Sequence, residues 1–578
     1  MSRRKIIRRN IRDNILSSIP MSLHPVLRRV YGARAIDSAV DLELGLDRLL
    51  PVGSLDGIEA GVDLLLRVFR SGGRVMVIGD FDADGATSTA LVLRQLHRLE
   101  FVAPTFLVPD RFKYGYGLSP EIVRVAAKQE PHLLVTVDNG ISSQEGVAEA
   151  RRLGIDVLVT DHHLQGDTLP DAAAIINPNL RGSLFGSRNL AGVGVAFYLM
   201  AALTRAMRDK ALLHPGVAAN PADLLDLVAL GTVADVVPLD LNNRILVAQG
   251  LRRIRAGRCT PGLRALLQGA GRRLESVTSQ DLAFQAGPRL NAAGRMTDMT
   301  IGINCLLAPD ERTAGPLAQQ LAQLNAERRE VESRMQQEAF GQVDSMFEAT
   351  GDGLPSGVCV FDGGWHQGVI GLVASRVRER LHRPVIAFAP GDEGSLKGSA
   401  RSVPGVHVRD VLDAVAKRRP DLLQRFGGHA MAAGMTISEH GLDDFRALFA
   451  EEVERWVDPG TLDGDLYTDG ELQPGEFNIE TAAALREGGP WGAGFPEPSF
   501  DGHFRVDGTR VVGERHLKLR LKSLSGESVD AIAFRYLDDS RSVPPRAGDE
   551  IEMVYKAALN EYAGTCRLQL VSEWLRPL

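Results

Sequence analysis

Carboxylates and imidazoles crowd the ends of apolar runs along this chain: Asp80, Asp82 and Asp84 in GDFDADG, Asp138 in TVDNG, Asp161, His162 and His163 in VTDHH, and Asp235 in GTVADVVPL. Such runs read as buried parallel strands, and in an open α/β sheet their carboxyl ends converge on one crevice. Carboxylates held that close repel one another and resist leaving water unless cations neutralise them. The expected chemistry is that of a two-metal hydrolase. Oxygen-rich ligands with an imidazole favour Mn2+ or Mg2+ over a thiolate metal. A carboxylate shared between two ions, for which Asp138 is the choice, would hold them about 3.5–4 Å apart, where they activate water and stabilise an in-line displacement at phosphorus.

Each motif also has a plainer reading. DFDADG opens like a calcium-binding EF-hand loop, but Leu91 stands where the bidentate Glu belongs and a strand replaces the required leading helix. The three acids either deliver ligands, with Gly85, Thr87 and Ser88 opening a helix whose free N–H groups face a phosphate, or merely cap that helix. Asp138 precedes Asn139-Gly140, a turn pair that favours Asp on its own account. Adjacent imidazoles at a strand end serve no common packing purpose. Because neighbouring strand side chains point apart, one ring is expected on a metal and the other toward substrate. Asp235 sits in an apolar helical segment and needs a cation or donors if buried.

The elements that must position these groups follow from periodicity. From Arg74 to about Pro178, β-branched runs alternate with helical patterns: RVMVIGD with ATSTALVLRQLHRL, PTFLVPD with SPEIVRVAAK, HLLVTVDNG with SSQEGVAEARRLG, and DVLVTDHH with AAAIINP. That alternation predicts a mostly parallel sheet covered by helices on both faces. LAGVGVAFYLMAALTRAM and PADLLDLVALGTVADVV read as further helices. Apolar residues from Leu317 to Phe340 recur at helical spacing and predict a long amphipathic helix between Glu311 and Phe347. GVCVFD, VIGLVASRVRERL, PVIAFAP, LKGSARS and FGGHAMAAGMTI make a second α/β unit, and the tail is β-rich. In HLKLRLKS, strict alternation puts His516, Lys518, Arg520 and Lys522 on one face, which either tracks a polynucleotide backbone or is simply solvated.

At 578 residues the chain exceeds the roughly 250–300 at which one core stops growing, so about three domains are expected. An apolar content of 44% and charge of 24% exclude a disordered chain. The longest apolar stretch, 190–203, is too short to span a bilayer and no signal-peptide core follows the basic N-terminus, so a cytoplasmic location without membrane contact is expected. Cys259, Cys305, Cys359 and Cys566 lie too far apart for a zinc finger or redox dithiol. Six basic residues among the first twelve either touch phosphates or form a solvated terminus. The net charge of −7 does not exclude a nucleic-acid partner, because bound metals offset an acidic site locally.

In this order, GDFDADGATSTAL, VTVDNGIS, VTDHH and LGTVADVVPL resemble the motifs of the DHH phosphoesterase superfamily, and FGGHAMAAG resembles the GGH motif of its DHHA1 partner domain. PDRFKYGYGL, GPRLNAAGR, WHQGVIG, LKGSARS and the β-rich tail narrow the resemblance to the RecJ family of bacterial single-stranded-DNA exonucleases, from Val26 to the C-terminus. The resemblance implies an N-terminal helical arm (1–70), a DHH catalytic domain (71–305), a connecting helix (306–348), a DHHA1 α/β domain (349–455) and an OB-fold domain (463–578). It implies a 5′-to-3′ exonuclease that releases mononucleotides from single-stranded DNA in recombination, mismatch repair and double-strand break processing, with two Mn2+ or Mg2+ ions. Asp80, Asp82, Asp84, Asp138, His162 and Asp235 would hold or orient the metals, with Asp82 also counted as catalytic. His163 would contact the scissile phosphate and Asp161 would support it. A 5′-phosphate pocket maps onto Arg111, Arg289, Ser399 and Arg401, with Asn291 and His429 nearby. Arginine's planar fork suits phosphate. Tyr114, Tyr116 and Trp365 either stack on bases or pack. The same resemblance implies a monomer that works with a single-stranded-DNA-binding protein and a RecQ-type helicase. A DHH phosphodiesterase for short oligoribonucleotides or cyclic dinucleotides, and a non-catalytic DNA-binding scaffold, are the alternatives.

Overall fold

The computed structural model describes residues 4–11, 18–34, 36, 38–110, 117–350, 354–457, 464–538, 543–562 and 565–578. It divides into two compact units, one of Ile7–Ala322 with Tyr467–Leu578, the other of Gln323–Leu466 with the first residues of the chain. The basic start of the chain forms a short strand, β1 (Ile6–Arg8). Arg8 donates to Asp501 at 2.6 Å and Arg9 lies 3.4 Å from Asp469, so protein carboxylates already claim these two. Helices Pro25–Gly32 and Ile58–Arg70 follow, joined by short 3-10 turns.

The first sheet contains β2 (Val75–Ile78), β3 (Thr105–Leu107), β4 (Leu133–Val137), β5 (Asp156–Thr160) and β6 (Ala174–Ile176), all parallel, in the order β3-β2-β4-β5-β6. The alanines of AAAIINP suggest a helix over Ala174–Ile176. The run is the edge strand instead, because Ile175 and Ile176 are β-branched and pair beside β5. Met76, Ile78, Leu134, Val157 and Val159 pack on Ile122, Val123 and Val147 of the helices Pro120–Ala127 and Gln144–Arg152. Val75, Val77, Leu133 and Val135 are buried on the opposite face. Each such side chain contributes about 1.5–3 kcal/mol on burial. The chain runs from β2 outward to β3 and then returns to place β4 on the other side of β2. That reversal of strand order opens a crevice at the carboxyl ends of β2 and β4.

The long helix runs Glu311–Thr350. It starts later than 306 because Thr300–Leu307 is a separate helix and Asp310, after Pro309, accepts the Thr313 N–H at 2.8 Å as a cap. In the second unit, β7 (Val358–Phe361), β8 (Val385–Pro390), β9 (Ser395–Arg401), β10 (Leu423–Gly428) and β11 (Ala432–Ser438) form a mixed sheet in the order β10-β11-β9-β8-β7. Phe388 meets Phe445 edge-on at 5.6 Å, and Phe445 stacks on Phe449 at 6.0 Å in the core under the helix Leu442–Trp456.

β12 (Leu466–Thr468) pairs with β1, and β13 (Phe500–Val512), β14 (His516–Ser523), β15 (Ser528–Ala533), β16 (Glu550–Tyr562) and β17 (Thr565–Pro577) close into a barrel. Leu517, Leu519 and Leu521 of β14 are buried, which leaves the basic residues between them outside. Lys518 of that face lies 3.3 Å from Asp530, so acid already balances part of it. The barrel and the parallel sheet belong to one unit: Arg34 forms a buried ion pair with Asp469 at 2.7 Å, and the Leu239 N–H donates to the Ala493 carbonyl at 2.7 Å. Among the described residues, no helix is long and apolar enough to cross a membrane.

Candidate active site

The loop after β2 carries the first three acids. Asp82 caps the helix Ala83–Arg98, its Oδ1 accepting the Gly85 N–H at 2.9 Å, while the Ala83 N–H donates to Asn291 Oδ1 at 2.7 Å. Capping and a place beside the other acids therefore coincide in one residue. Of the N–H groups expected to face a phosphate, that of Gly85 is spent on Asp82; the Thr87 hydroxyl donates to the Ala83 and Asp84 carbonyls, and Ser88 is buried. Asp84 reaches across to the start of the helix Gly192–Asp209, accepting Gly192 N–H at 2.6 Å and Val193 N–H at 2.9 Å. Sequence reading missed this use of a helix N-terminus to hold a carboxylate.

Asp138 follows β4 with φ of 62°, a left-handed conformation costly for a side chain with Cβ. Its neighbour Asn139 donates to the Val137 carbonyl at 2.8 Å and the Ile78 carbonyl at 3.2 Å, tying the ends of β4 and β2 together. Asp161, at the end of β5, accepts the His162 and His163 backbone N–H groups and His163 Nδ1–H at 2.7 Å on Oδ1, and the Ile141 N–H on Oδ2. Asn179 donates to the His162 carbonyl at 2.6 Å and Asn177 to that of His163 at 2.9 Å. Nothing in the sequence pattern marks these two asparagines. Asp235 ends the helix Leu225–Ala234 rather than lying inside it, and Val236 beyond it also has φ of 62°.

These side chains meet. Three overlapping triplets, Asp80 with Asp82 and Asp138, Asp138 with His162 and His163, and Asp84 with His162 and Asp235, each place potential ligand atoms within 4.8 Å of one another. His162 Nε2 lies 3.0 Å from Asp138 Oδ1 and 3.6 Å from Asp235 Oδ2. Asp138 and His162 each belong to two triplets, the position a shared group must occupy. Burial first, then the charges of Asp84 and Asp82, push the Asp138 and Asp235 carboxyls well above the usual range. Asp84 is raised to about 7 by burial and Asp82, against the pull of the Val193 and Gly192 amides. For Asp161, burial acts upward but the His163 hydrogen bond and charge outweigh it, so it stays low. His163, opposed by burial, is raised by Asp161, Asp80 and Asp82. Crowded oxygens with one or two imidazoles and no thiolate fit hard divalent cations, whose charge would restore the ionised carboxylates.

Of the residues assigned to the 5′-phosphate, Arg111 lies outside the described residues, as do Tyr114 and Tyr116. Arg289 and Asn291 share the helix Gly287–Met296, which follows a π-helical turn, Leu282–Ala286. Arg289 donates to the Gln285 carbonyl at 2.6 Å, and Asn291 braces the loop after β2 as described above. In the second unit, Arg401 Nη1 donates to Ser399 Oγ at 3.1 Å, and both side chains approach Gly371, where an added Cβ would meet them at 2.8 and 3.0 Å. Burial lowers the Arg401 pKa. His429 lies in the β10–β11 turn, its N–H on the Ala432 carbonyl at 2.8 Å. Period-two spacing puts Lys397 on the same face of β9 as Ser399 and Arg401, a placement that the spacing of LKGSARS encodes. Trp365 is not positioned to stack on a base, because it is buried with Nε1–H on Glu338 at 2.8 Å.

Residues 74–232 match the N-terminal domain of the DHH family, residues 355–455 the DHHA1 domain and residues 468–573 the RecJ OB domain. Fold and motifs together define a phosphoesterase of the DHH/DHHA1 class with an OB-fold barrel. The single-stranded-DNA-specific exonuclease RecJ of Salmonella typhimurium is 50% identical, covering 100% of both chains, and that of Escherichia coli is 50% identical over 97% of each. The crystal structure of RecJ with Mn2+ from Thermus thermophilus superposes with a TM-score of 0.80 at 30% identity, covering 100% of this chain and 80% of that one. The structure of the same protein with Mg2+ gives 0.74 at 28%, covering 100% and 79%. The chain belongs to the RecJ family.

Proposed function

We propose that this chain is a 5′-to-3′ exonuclease that hydrolyses single-stranded DNA to mononucleotides, in recombination, mismatch repair and the processing of double-strand break ends. The convergence of Asp80, Asp82, Asp84, Asp138, His162 and Asp235 at the reversal of strand order carries this reading, in a chain half identical to named single-stranded-DNA-specific exonucleases. Those six residues would hold two ions, Mn2+ or Mg2+, the metals named with the Thermus thermophilus RecJ structures. The bound ions supply Lewis acidity and charge neutralisation at the reacting phosphate. Asp138 would be the carboxylate common to both positions. Asp161 would hold the proton of His163 on Nδ1, so that Nε2 is the atom that meets the scissile phosphate. The family resemblance assigns terminal-phosphate recognition to Arg289 in one unit and to Arg401 and Ser399 in the other, through charge-assisted hydrogen bonds. Arg111, Asn291 and His429 belong to the same set.

The domains divide as a catalytic DHH body (71–305), the connecting helix Glu311–Thr350, a DHHA1 unit ending at 455 and a barrel (463–578) that tracks the strand backbone. The chain acts as a cytoplasmic monomer alongside a single-stranded-DNA-binding protein and a RecQ-type helicase, partners supported by family resemblance. End-labelled single-stranded DNA, duplex DNA and RNA, incubated with Mn2+, Mg2+ or EDTA, test the reading together. Metal-dependent release of labelled mononucleotide from the 5′ end of single-stranded DNA is expected. Equal cleavage of RNA oligomers, or digestion unaffected by EDTA, would overturn it.

A further inference from the structure

A cavity of about 410 Å3 lies between the parallel-sheet body and the barrel, within one compact unit and built from residues that take no part in the metal cluster. The helix Leu241–Arg255 supplies one wall. Arg244, Ala248, Leu251, Arg252 and Arg255 follow helical spacing and share the face that lines it. The facing wall is the segment before the barrel. There Trp491 stacks on Phe495 at 5.1 Å, and the indole N–H is pinned to the Leu485 carbonyl at 2.7 Å. Leu42, Leu44 and Leu485 add apolar surface.

Basic side chains outnumber acidic ones in this lining, with Arg244, Arg252, Arg255, Arg486 and Lys556 against Glu487 and Glu497. Lys556 is committed to Glu497 at 2.9 Å and Glu573 at 3.0 Å, and Arg486 to Glu561 at 3.1 Å. Arg244 and Arg255 give hydrogen bonds only to the Asp41 and Val277 backbone carbonyls, and Arg252 is exposed at the mouth. Among the described residues none of these three forms an ion pair with a carboxylate. Burial first, then the charge of Arg486, lowers the Arg255 pKa, against the upward pull of Glu487 and Asp281. Guanidinium groups left this way complement a phosphate dianion, and the volume falls within the roughly 300–1,000 Å3 of small-molecule sites.

We propose that this cavity binds a nucleoside monophosphate, its phosphate on Arg252 and Arg255 and its base against Leu251, Leu485 and the edge of Trp491. The choice of a nucleotide over other organic phosphates rests on the exonuclease reading, since mononucleotides are what that reaction releases. The cavity then senses product at a place separate from the chemistry.

Calorimetric titration of dAMP, and of inorganic phosphate, into the full-length chain in EDTA tests this without turnover. One dAMP per chain is expected in Arg401→Ala, which removes the proposed terminal-phosphate contact, with or without Asp82→Ala. Arg252→Glu and Arg255→Glu should each weaken it at least about tenfold, the scale of a lost charge-assisted contact. Arg252 is exposed, so that variant should melt as the wild type does and carries the test if Arg255→Glu fails to fold. Inorganic phosphate should bind more weakly than dAMP. Absence of saturable binding, equal affinity in the folded Arg252→Glu or Arg255→Glu variant, or loss of binding in Asp82→Ala would overturn the site. Phosphate binding as tightly as dAMP would overturn the place given to the base. A chain that binds dAMP here yet digests no DNA would refute the exonuclease reading and leave the cavity; digestion without binding would do the reverse.

Discussion

Gly192→Ala perturbs the site by a single carbon atom. Gly192 opens the helix whose amides hold Asp84, and it passes so near Asp138 that an added Cβ would lie 2.6 Å from that residue's Cβ, 2.8 Å from Oδ1 and 2.9 Å from Cα. Carbon atoms settle at about 3.5–4.0 Å, so roughly 1 Å of separation must be found. A flexible side-chain tip could yield it cheaply, but Asp138 is fixed by its left-handed backbone and by Asn139. The displacement therefore falls on Asp138 itself or on the helix start that holds Asp84. Overpacking of this kind costs about 1–3 kcal/mol of stability, and a misplacement of about 1 Å costs about 100-fold in rate. At saturating DNA, kcat for Mn2+-dependent digestion should fall about 100-fold with KM little changed, and more Mn2+ should be needed for half-maximal rate. Circular dichroism checks that the chain remains folded. A folded variant with wild-type kcat and Mn2+ dependence would refute this placement of Asp138.

Asn179→Ala removes the bond to the His162 carbonyl and should weaken Mn2+ binding about 10–100-fold in calorimetry, the range for groups that orient metal ligands, with little change in melting temperature. Arg401→Ala should lower kcat/KM about tenfold or more on strands with a 5′-phosphate, consistent with about 1.5–3 kcal/mol for a charged hydrogen bond; an equal loss on 5′-hydroxyl strands would remove Arg401 from end recognition. Arg520→Glu with Lys522→Glu should weaken binding of long single strands and flatten the slope of log K against log salt by about 1.4, from two lost phosphate contacts. An unchanged slope would mean that this face of β14 is only solvated.

Much of this fold is legible because it depends on periodicity. The β-branched runs ending at Ile78, Val137 and Thr160 form parallel strands, and alternation in β14 separates the leucines from the basic residues. Where periodicity is short or ambiguous the reading fails. Three alanines mask the edge strand Ala174–Ile176, and a basic N-terminus gives no hint that Asp469 and Asp501, far along the chain, claim Arg8 and Arg9. At the site, acids at strand ends are visible as residue types after apolar runs. The groups that orient them are not, because Asn177, Asn179, Asn291 and the Gly192 and Val193 amides act through contacts between distant segments that no local spacing encodes. Trp365 illustrates the converse, an aromatic residue in a suggestive motif whose indole is spent on Glu338.

The central claim is that the carboxylate and imidazole cluster holds a pair of divalent ions. Anomalous diffraction from crystals soaked in Mn2+ measures that directly. Two peaks are expected, one among Asp80, Asp82 and Asp138 and the other among Asp84, His162 and Asp235, with both lost in crystals of Asp138→Ala. Peaks elsewhere in the chain, or an empty cluster at saturating Mn2+, would contradict the account.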